Sequence, residues 1–478
     1  MAARSDLGAL ADRYDLVIVG GGITGAGIAR EAVRTGASVL LVDRRDFASG
    51  TSSWSSKLVH GGLRYLRHAQ WQLTLESVRE RQRLLREAPD LVRPIGFLMP
   101  IYEGRKPGRA LLQVGLFVYD LMSGVRRSRF VATDELLREE PHIAAGGLKG
   151  AMAYEDATTD DARLVLRLLM TSAALGATVR NYTHARADGA NGVLLSDAET
   201  GATRTIHSAM TINATGAWPD ASANAPALRP LRGSHFVFPA AKLPVQHAVS
   251  WLHPVDGRPI FAYPWQGVSL YGTTDLDHTG SLESPRMTPD EATYLLDALG
   301  AQFPGLALTA HDAIATYSGI RPVVAGGKGD PSAESRESAM WSGPGTVGIT
   351  GGKLTTFRVT AREVLTEAAK QVPRLAPAAD GPVIGEAPTP APGDAIAGTP
   401  FTWGALQASA RDEYVVHLED LMMRRTRLGL VAEGGGASLL AEVKRVCAPE
   451  LGWDDERWAN EERDYLAYWQ RQHAPVVT

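Results

Sequence analysis

Asp15-Leu-Val-Ile-Val-Gly is a short β-branched run ending in glycines, and the residues after it repeat their apolar positions at helical spacing as far as Arg34. Gly36 then supplies a stop and Ser38 to Val42 reads as a second strand, so the chain opens with a βαβ unit. A second helix-to-strand passage runs from Asp160 through Arg163-Leu-Val-Leu-Arg-Leu-Leu-Met to Gly176 and on into Thr178 to Tyr182. Short strands follow at Gly192 to Ser196, Arg204 to His207 and Met210 to Ala214, with a turn at Glu199-Thr200-Gly201. The sheet that begins near Asp15 is therefore expected to resume after an insertion.

Between these parts Gln70 to Ala88 reads as an Arg/Glu-rich helix. Arg229 to Tyr271 reads as several alternating strands with a hairpin turn at Gln266-Gly267, the pattern of a separate strand-rich substrate domain. Thr288-Pro289-Asp290-Glu291 is a capping box with proline at the first helical position, and Gly300 is the expected stop of that helix. Seven prolines among many alanines from Pro373 to Pro400 have linker composition, and the tail after Phe401 turns helix-forming. The expected division is a discontinuous dinucleotide-binding domain (1–80, 150–228 and 315–372), a substrate domain (81–149 and 229–314), a linker (373–400) and a helical C-terminal domain (401–478).

Length and composition narrow the function. The 478 residues, 44% apolar and 21% charged, suit a soluble globular chain with more than one core. A net charge of −4 gives no overall field for nucleic acid, so any phosphate recognition must be local. The lone Cys447 allows no internal disulfide and no thiolate metal cluster, and no metal site is expected. Met1 to Tyr14 carries Asp6 and Asp12 and lacks an apolar core, so a cytoplasmic location, or the cytoplasmic face of a membrane, is expected. The longest apolar stretch, Leu111 to Met122, falls short of the roughly twenty residues that cross a bilayer. Arg126, Arg127 and Arg129 follow it, which suits a helix lying in the lipid interface as well as it suits a core helix with a solvated basic end.

Gly20-Gly21-Gly22-Ile23-Thr24-Gly25 is a G-x-G-x-x-G placed where a strand ends and a helix begins. Gly20 permits the turn, Gly22 lets backbone approach a pyrophosphate, and Gly25 lets helix and sheet close up. Asp43 ends the second strand, where an acid accepts hydrogen bonds from ribose hydroxyls. FAD and nicotinamide cofactors share this fingerprint, and Arg44-Arg45 also reads as a 2′-phosphate clamp. Gly343-Pro344-Gly345-Thr346-Val347-Gly348 repeats the spacing but precedes a strand, and Gly351-Gly352-Lys353 resembles a P-loop only superficially, with Val347 and Leu354 where that motif needs Gly and Ser or Thr. Gly351-Gly352-Lys353-Leu354-Thr355-Thr356-Phe357 instead opens a helix running to about Lys370, and its bare N–H groups suit the electron-rich edge of a reduced flavin. Thr51-Ser52-Ser53-Trp54-Ser55-Ser56-Lys57-Leu58-Val59-His60-Gly61-Gly62-Leu63-Arg64-Tyr65 offers small residues that admit a flat ring and hydroxyls that satisfy phosphate oxygens.

Taken with Asp160-Asp161-Ala-Arg-Leu, Asn213-Ala-Thr-Gly-Ala-Trp, Gly233-Ser-His, Tyr271-Gly-Thr-Thr-Asp, Tyr317-Ser-Gly-Ile-Arg-Pro and Met422-Met-Arg-Arg-Thr-Arg-Leu-Gly, these motifs resemble the FAD-dependent glycerol-3-phosphate dehydrogenases, a branch of the D-amino-acid-oxidase-like flavoproteins. The resemblance covers about residues 15 to 370 and reaches into the tail. It implies an α/β fold: a discontinuous Rossmann-like FAD-binding domain, an antiparallel-sheet substrate domain and a small helical C-terminal domain. The implied reaction oxidises sn-glycerol 3-phosphate to dihydroxyacetone phosphate, with hydride passing from carbon 2 to flavin N5 while a base takes the hydroxyl proton. Electrons would pass to quinone or another acceptor, on the inner-membrane surface in membrane-bound relatives, and the implied assembly is a homodimer. Another polyol phosphate such as an erythritol phosphate, or an oxygen-using oxidase, are the alternatives. A non-catalytic FAD-binding protein is disfavoured because Arg321 and Lys353 accompany the cofactor motifs.

The resemblance also distributes roles. His60, Arg64, His235 and Lys353 are the catalytic candidates, with the base not decided among them. Arg321 and Arg336 would fork onto the phosphate, and Tyr65 and Thr274 would line the substrate pocket. FAD would be held by Gly20, Gly22, Thr24, Gly25, Asp43, Thr51, Ser52, Ser53, Ser56, Lys57, His60, Gly61, Gly216, Gly352, Lys353, Leu354 and Thr355.

Overall fold

The computed structural model describes residues 4–62, 71–189, 191–218, 224–327, 329, 334, 337–382, 384–389 and 391–476. The first sheet contains β1 (Arg13–Val19), β2 (Val39–Val42), β7 (Thr178–Arg180), β8 (Thr183–Asp188), β9 (Gly192–Asp197), β10 (Thr203–Asn213), β17 (Ala339–Gly343) and β18 (Thr346–Thr350). The second contains β3 (Leu58–Val59), β4 (Val92–Tyr102), β5 (Arg129–Val131), β6 (Leu148–Thr159), β11 (Leu228–Pro239), β12 (Ala248–Leu252), β13 (Pro259–Trp265), β14 (Val268–Gly272), β15 (Leu276–Asp277) and β16 (Ala315–Val324).

In the first sheet β18, β10, β1, β2 and β7 lie side by side and parallel. Period-2 alternation along β1 explains how it is covered on both faces. Leu16 and Ile18 pack with α1 (Ile23–Val33), α5 (Asp161–Ala174) and α7 (Phe357–Ala369), whereas Val17 packs with Val193, Leu195 and Ile206 of the β8–β10 meander. The two strands expected at Arg204 to His207 and Met210 to Ala214 are one strand: β10 runs antiparallel to β9 first and then enters the parallel sheet beside β1. Residues 150–159 do not join this sheet. They belong to β6, which pairs with β4 from Val92 to Tyr102, and β3 adds to its far edge, so these segments sit in the second sheet.

The second sheet is also two-sided. Phe236, Phe238, Ile260 and Ala262 point to α6 (Pro289–Gln302), while Val237, Tyr263 and Trp265 point to the helical tail. The capping box of α6 forms as read, with Thr288 accepting from the Glu291 N–H; the helix passes through Gly300 and ends at Gln302, because its last turn remains packed through Leu299. Two further helices, α2 (Trp71–Glu87) and α3 (Arg109–Ser123), stand beside β4 and β6, with α4 (Thr133–Glu139) following. The tail folds into α8 (Trp403–Asp412), α9 (Leu440–Leu451) and α10 (Asp455–Gln472) around short helical turns at Leu418–Asp420, Leu421–Arg425 and Leu428–Val431.

The Pro/Ala-rich stretch is a strap rather than a spacer. Leu375, Ile384 and Ile396 are buried, Asp380 receives Arg83 and Arg358, and Arg34 and Arg362 donate to the carbonyls of Ala379 and Ala378. Its proline content lowers the freedom lost on ordering, and the arginines of α1, α2 and α7 tie it down.

Candidate active site

The carboxyl ends of β1, β10 and β18 lie next to one another, and each is followed by glycine: Gly20 after β1, Gly216 beyond β10, Gly351 and Gly352 after β18. In an open parallel sheet this edge is where a cofactor settles. Gly20 has φ +113°, and a Cβ there would meet the Ala214 carbonyl; a Cβ on Gly25 would drive into the Gly20 carbonyl. Strand, turn and helix thus touch through bare backbone. No side chain of its own caps α1, whose N-terminal residue Gly22 presents backbone, and Ser52 Oγ accepts the Ile23 N–H at 3.0 Å from outside the helix. A helix start behind a glycine turn attracts a pyrophosphate.

Asp43 shapes the same turn. Its carboxylate accepts the Gly21 N–H at 2.7 Å and the Arg45 N–H at 2.9 Å, and burial pushes its pKa up to about 6. Arg44 and Arg45 both pair with Glu283 and lie over the Trp218 ring at 5.1 and 5.5 Å. They are engaged by protein, which argues against a 2′-phosphate clamp. The cradle that a Cβ would fill at Gly20 and Gly25, the acid at Asp43, and the buried Ser53 hydroxyl with no protein partner among the described residues fit FAD.

The serine-rich loop bridges this cradle to the second sheet. Ser52 reaches α1, Thr51 Oγ1 donates to the Ile320 carbonyl at 2.6 Å, and Tyr317 and Tyr263 donate to the carbonyls of Ser55 and Ser56. Gly319 lets the loop lie flat, since a Cβ there would strike the Trp54 carbonyl. On the sheet beneath, His235 is opposite Tyr317, Gly233 opposite Gly319 and Leu231 opposite Arg321, so alternate residues place His235, Tyr317 and Arg321 on one face with two glycines between. Arg321 donates to Asp275 Oδ1 at 2.9 Å and to the Thr274 carbonyl at 3.3 Å, and remains half-buried. A fixed guanidinium of that kind can grip a phosphate or carboxylate.

His235 is 1% exposed. Its Nε2 meets Ser56 Oγ at 2.9 Å, its ring stacks on Tyr317 at 4.6 Å, and its Nδ1 has no partner among the described residues. Burial, with Arg321 and Lys57 nearby, holds it well below the ordinary imidazole range, so it is neutral. His60, by contrast, is exposed at the end of β3, and its carbonyl accepts Thr355 Oγ1 at 3.4 Å from the turn after β18. Lys353 in that turn is half-buried.

Several expected residues take other places. Lys57 turns away from the cleft: it is fully buried, donates to Ser53 O at 2.8 Å and Asp161 Oδ1 at 2.9 Å, and lies near the rings of Trp265 and Tyr317. A buried ammonium needs such a carboxylate partner, and Asp161 stands behind the loop rather than in the cleft. The hydroxyl of Thr274 is taken by Glu291 at 2.7 Å and by the Ser234 N–H, so Thr274 meets the site through its carbonyl. Gly61 packs under Tyr119 with its N–H on Asp156, and Thr51 and Ser56 spend their hydroxyls on protein. Leu354 packs on the first core, Thr24 sits in the first turn of α1, and Gly216 is tied to β18 by Thr350 Oγ1. Arg64, Tyr65 and Arg336 lie outside the described residues. Asp275, Asp161 and Arg427 stand in the motifs Tyr271-Gly-Thr-Thr-Asp, Asp160-Asp161-Ala-Arg-Leu and Met422-Met-Arg-Arg-Thr-Arg-Leu-Gly, but the sequence assigns them no role at the site.

A glycine cradle on one sheet and a fixed arginine on the other suit a flavin-dependent oxidoreductase. The chain belongs to that family: the description "FAD dependent oxidoreductase" matches residues 15–363, and "C-terminal domain of alpha-glycerophosphate oxidase" matches residues 368–458. More narrowly, it is 38% identical over 377 residues to the aerobic glycerol-3-phosphate dehydrogenase of Staphylococcus aureus, covering 76% of this chain and 68% of that protein. Its structure is similar to that of a glycerol-3-phosphate dehydrogenase from Bacillus halodurans complexed with FAD, with TM-score 0.75, 25% identity, and 98% and 96% of the two chains covered. An L-alpha-glycerophosphate oxidase from Mycoplasma pneumoniae with FAD bound shares the fold at TM-score 0.62 and 18% identity, over 79% of this chain and all of that one.

Proposed function

We propose that this chain oxidises sn-glycerol 3-phosphate to dihydroxyacetone phosphate with FAD and passes the electrons to a quinone at a membrane surface. The observation that carries the reading is Arg321, fixed by Asp275 on the sheet face over which the serine-rich loop runs from the dinucleotide cradle. The names of the relatives at 38% and 25% identity support the substrate.

Gly20, Gly22, Gly25, Asp43, Ser52 and the Gly351–Thr355 turn would hold FAD, which supplies a hydride acceptor when bound. Arg321, with Arg336 added by resemblance, grips the phosphate dianion and so fixes carbon 2 in the cleft. His60 receives the hydroxyl proton on its imidazole, since it is exposed at the turn while His235 is sealed behind Ser56. Lys353 and Arg64 supply positive charge for the developing oxyanion. Thr274 and Asp275 keep the Arg321 fork in one orientation.

Anaerobic titration of the purified flavoprotein tests this. Glycerol 3-phosphate should bleach the oxidised flavin band in proportion to the substrate added, and a longer polyol phosphate should do so less well. Failure of glycerol 3-phosphate to bleach it would end the reading, and oxygen uptake without added quinone would move it to an oxidase.

The membrane part of the reading rests on α3. Leu111, Val114, Phe117 and Leu121 form one exposed stripe at helical spacing, while Leu116 and Tyr119 face inward. Arg105, Lys106, Arg109, Arg126, Arg127 and Arg129 lie at its two ends, which suits an anionic lipid surface. No described helix is long and apolar enough to cross a membrane. Flotation with anionic but not zwitterionic vesicles, lost in Phe117→Asp, is the expected result.

A further inference from the structure

Asp161, at the start of α5, collects more donors than a helix cap needs. Its Oδ1 accepts Lys57 Nζ at 2.9 Å, Arg427 Nη2 at 2.6 Å and the Ala162 N–H at 3.1 Å; its Oδ2 accepts the Ser55 N–H at 3.1 Å and Ser55 Oγ at 2.6 Å. Three of these donors come from the serine-rich loop and one from the helical tail. Arg427 is itself fully buried, forks onto Asp160 and donates to the Met423 carbonyl. Two cations and two carboxylates balance within the cluster, so its charge is compensated without water.

The loop side of the cluster is closed as tightly. Lys57 Nζ returns to Ser53 O, the Lys57 N–H donates to Ser55 Oγ, and the Lys57 carbonyl receives the Thr159 N–H and Thr158 Oγ1. Lys57 holds φ at +51°, a conformation that costs a non-glycine residue free energy and persists only when its surroundings over-determine it. Burial and the nearby Arg427 lower the Lys57 pKa to about 8, against the pull of Asp161 and Asp160. Immediately before this knot stands Ser52, whose hydroxyl meets the dinucleotide helix, and immediately after it come β3 and His60.

We propose that Arg427, Asp161, Lys57 and Ser55 are positioning residues for the reaction, through which the C-terminal helical domain sets the place of the loop that spans from the flavin cradle to His60. The tail is then a working part of the active site. Ser56 and the neutral His235 lock the opposite side of the same loop against β11. The roles of FAD and His60 rest on the function proposed above; the anchoring of the loop by the tail does not.

Ser55→Ala removes one donor to Asp161 and no buried charge, and Arg427→Lys keeps the charge but loses the fork, so both are expected to fold. Each should slow flavin reduction per bound flavin at saturating substrate about tenfold, weaken FAD binding to the apoprotein about tenfold, and shift the acid limb of the pH profile, with KM changed less than twofold. The double variant should fall short of the product of the two single effects, because both act through Asp161. Wild-type FAD affinity, pH profile and per-flavin rate in both variants, with only a lower melting temperature, would overturn the proposal, as would fully multiplicative effects. Should glycerol 3-phosphate fail to reduce the wild-type flavin, the proposed substrate falls while FAD affinity and double-variant coupling still decide the anchoring.

Discussion

The cofactor cradle and the substrate face are built by opposite means. In the cradle, turn, helix start and acid come from one stretch of chain between Gly20 and Asp43, where backbone packs on backbone at Gly20 and Gly25 and Asp43 accepts the Gly21 N–H. On the substrate face, Arg321 is placed by pairing β16 to β11 and held by Thr273, Thr274 and Asp275 from the turn after β14, some fifty residues away in the chain. A cradle of this kind tolerates no added atom. A face of this kind tolerates change but depends on side-chain chemistry.

The sharpest test of the contrast is therefore a single methyl group. Gly25→Ala puts a Cβ into the Gly20 carbonyl, and neither strand nor helix can retreat, because β1 and α1 are buried on both sides. The expected outcome is loss of bound flavin in the purified protein, read from the ratio of visible to ultraviolet absorbance. Retention of stoichiometric flavin would show that helix and turn can separate. Next in size is His60→Asn, which should lower kcat by about a hundredfold to ten-thousandfold, the usual range for a general base, with flavin content unchanged. If His235→Asn gives the larger loss, the buried imidazole is the base and the assignment reverses.

The same contrast explains what was legible. Local motifs give the βαβ opening of the first sheet with its glycine turn, the α6 cap and the Gln266-Gly267 hairpin, because each is decided by neighbours a few residues apart. The sheet membership of 150–159 is not legible, because a strand's partner is chosen by long-range pairing and the strand beside Asp160 carries no mark of which sheet it joins. The sequence points to Lys57 as a cofactor contact because it stands among hydroxyls in a cofactor motif; its burial against Asp161 depends on the fold of α5 and the tail. The resemblance points to Thr274 as a pocket residue, whereas Glu291 claims its hydroxyl from a helix seventeen positions on.

Arg321→Ala probes the substrate face directly. Losing a charge-assisted pair to phosphate costs about 1.5–3 kcal/mol, roughly a tenfold to hundredfold fall in kcat/KM for glycerol 3-phosphate. Flavin content should not change, and the difference between wild type and variant should shrink for glycerol itself, which has no dianion to hold. An equal loss on both substrates would place Arg321 in the chemistry rather than at the phosphate.

The smallest effect is expected where the tail meets the first sheet away from either site. His417 contacts Glu461 at 3.0 Å and Glu199 at 3.2 Å and lies edge-on to Tyr182. Burial opposes its charge, but the hydrogen bond to Glu461 and the nearby Asp420 and Glu199 outweigh it and raise the pKa to about 9. A group whose folded pKa is raised in this way stabilises fully below its unfolded value, about 6.5, and that contribution disappears as pH rises through about 9. His417→Gln should therefore melt at lower temperature than wild type near pH 6, the gap narrowing above pH 6.5 and closing beyond pH 9, with flavin reduction per bound flavin unaltered throughout. A gap that stays constant with pH would assign the loss to packing against Tyr182, and a fall in per-flavin rate would mean that this edge of the tail, like Arg427, reaches the active-site loop.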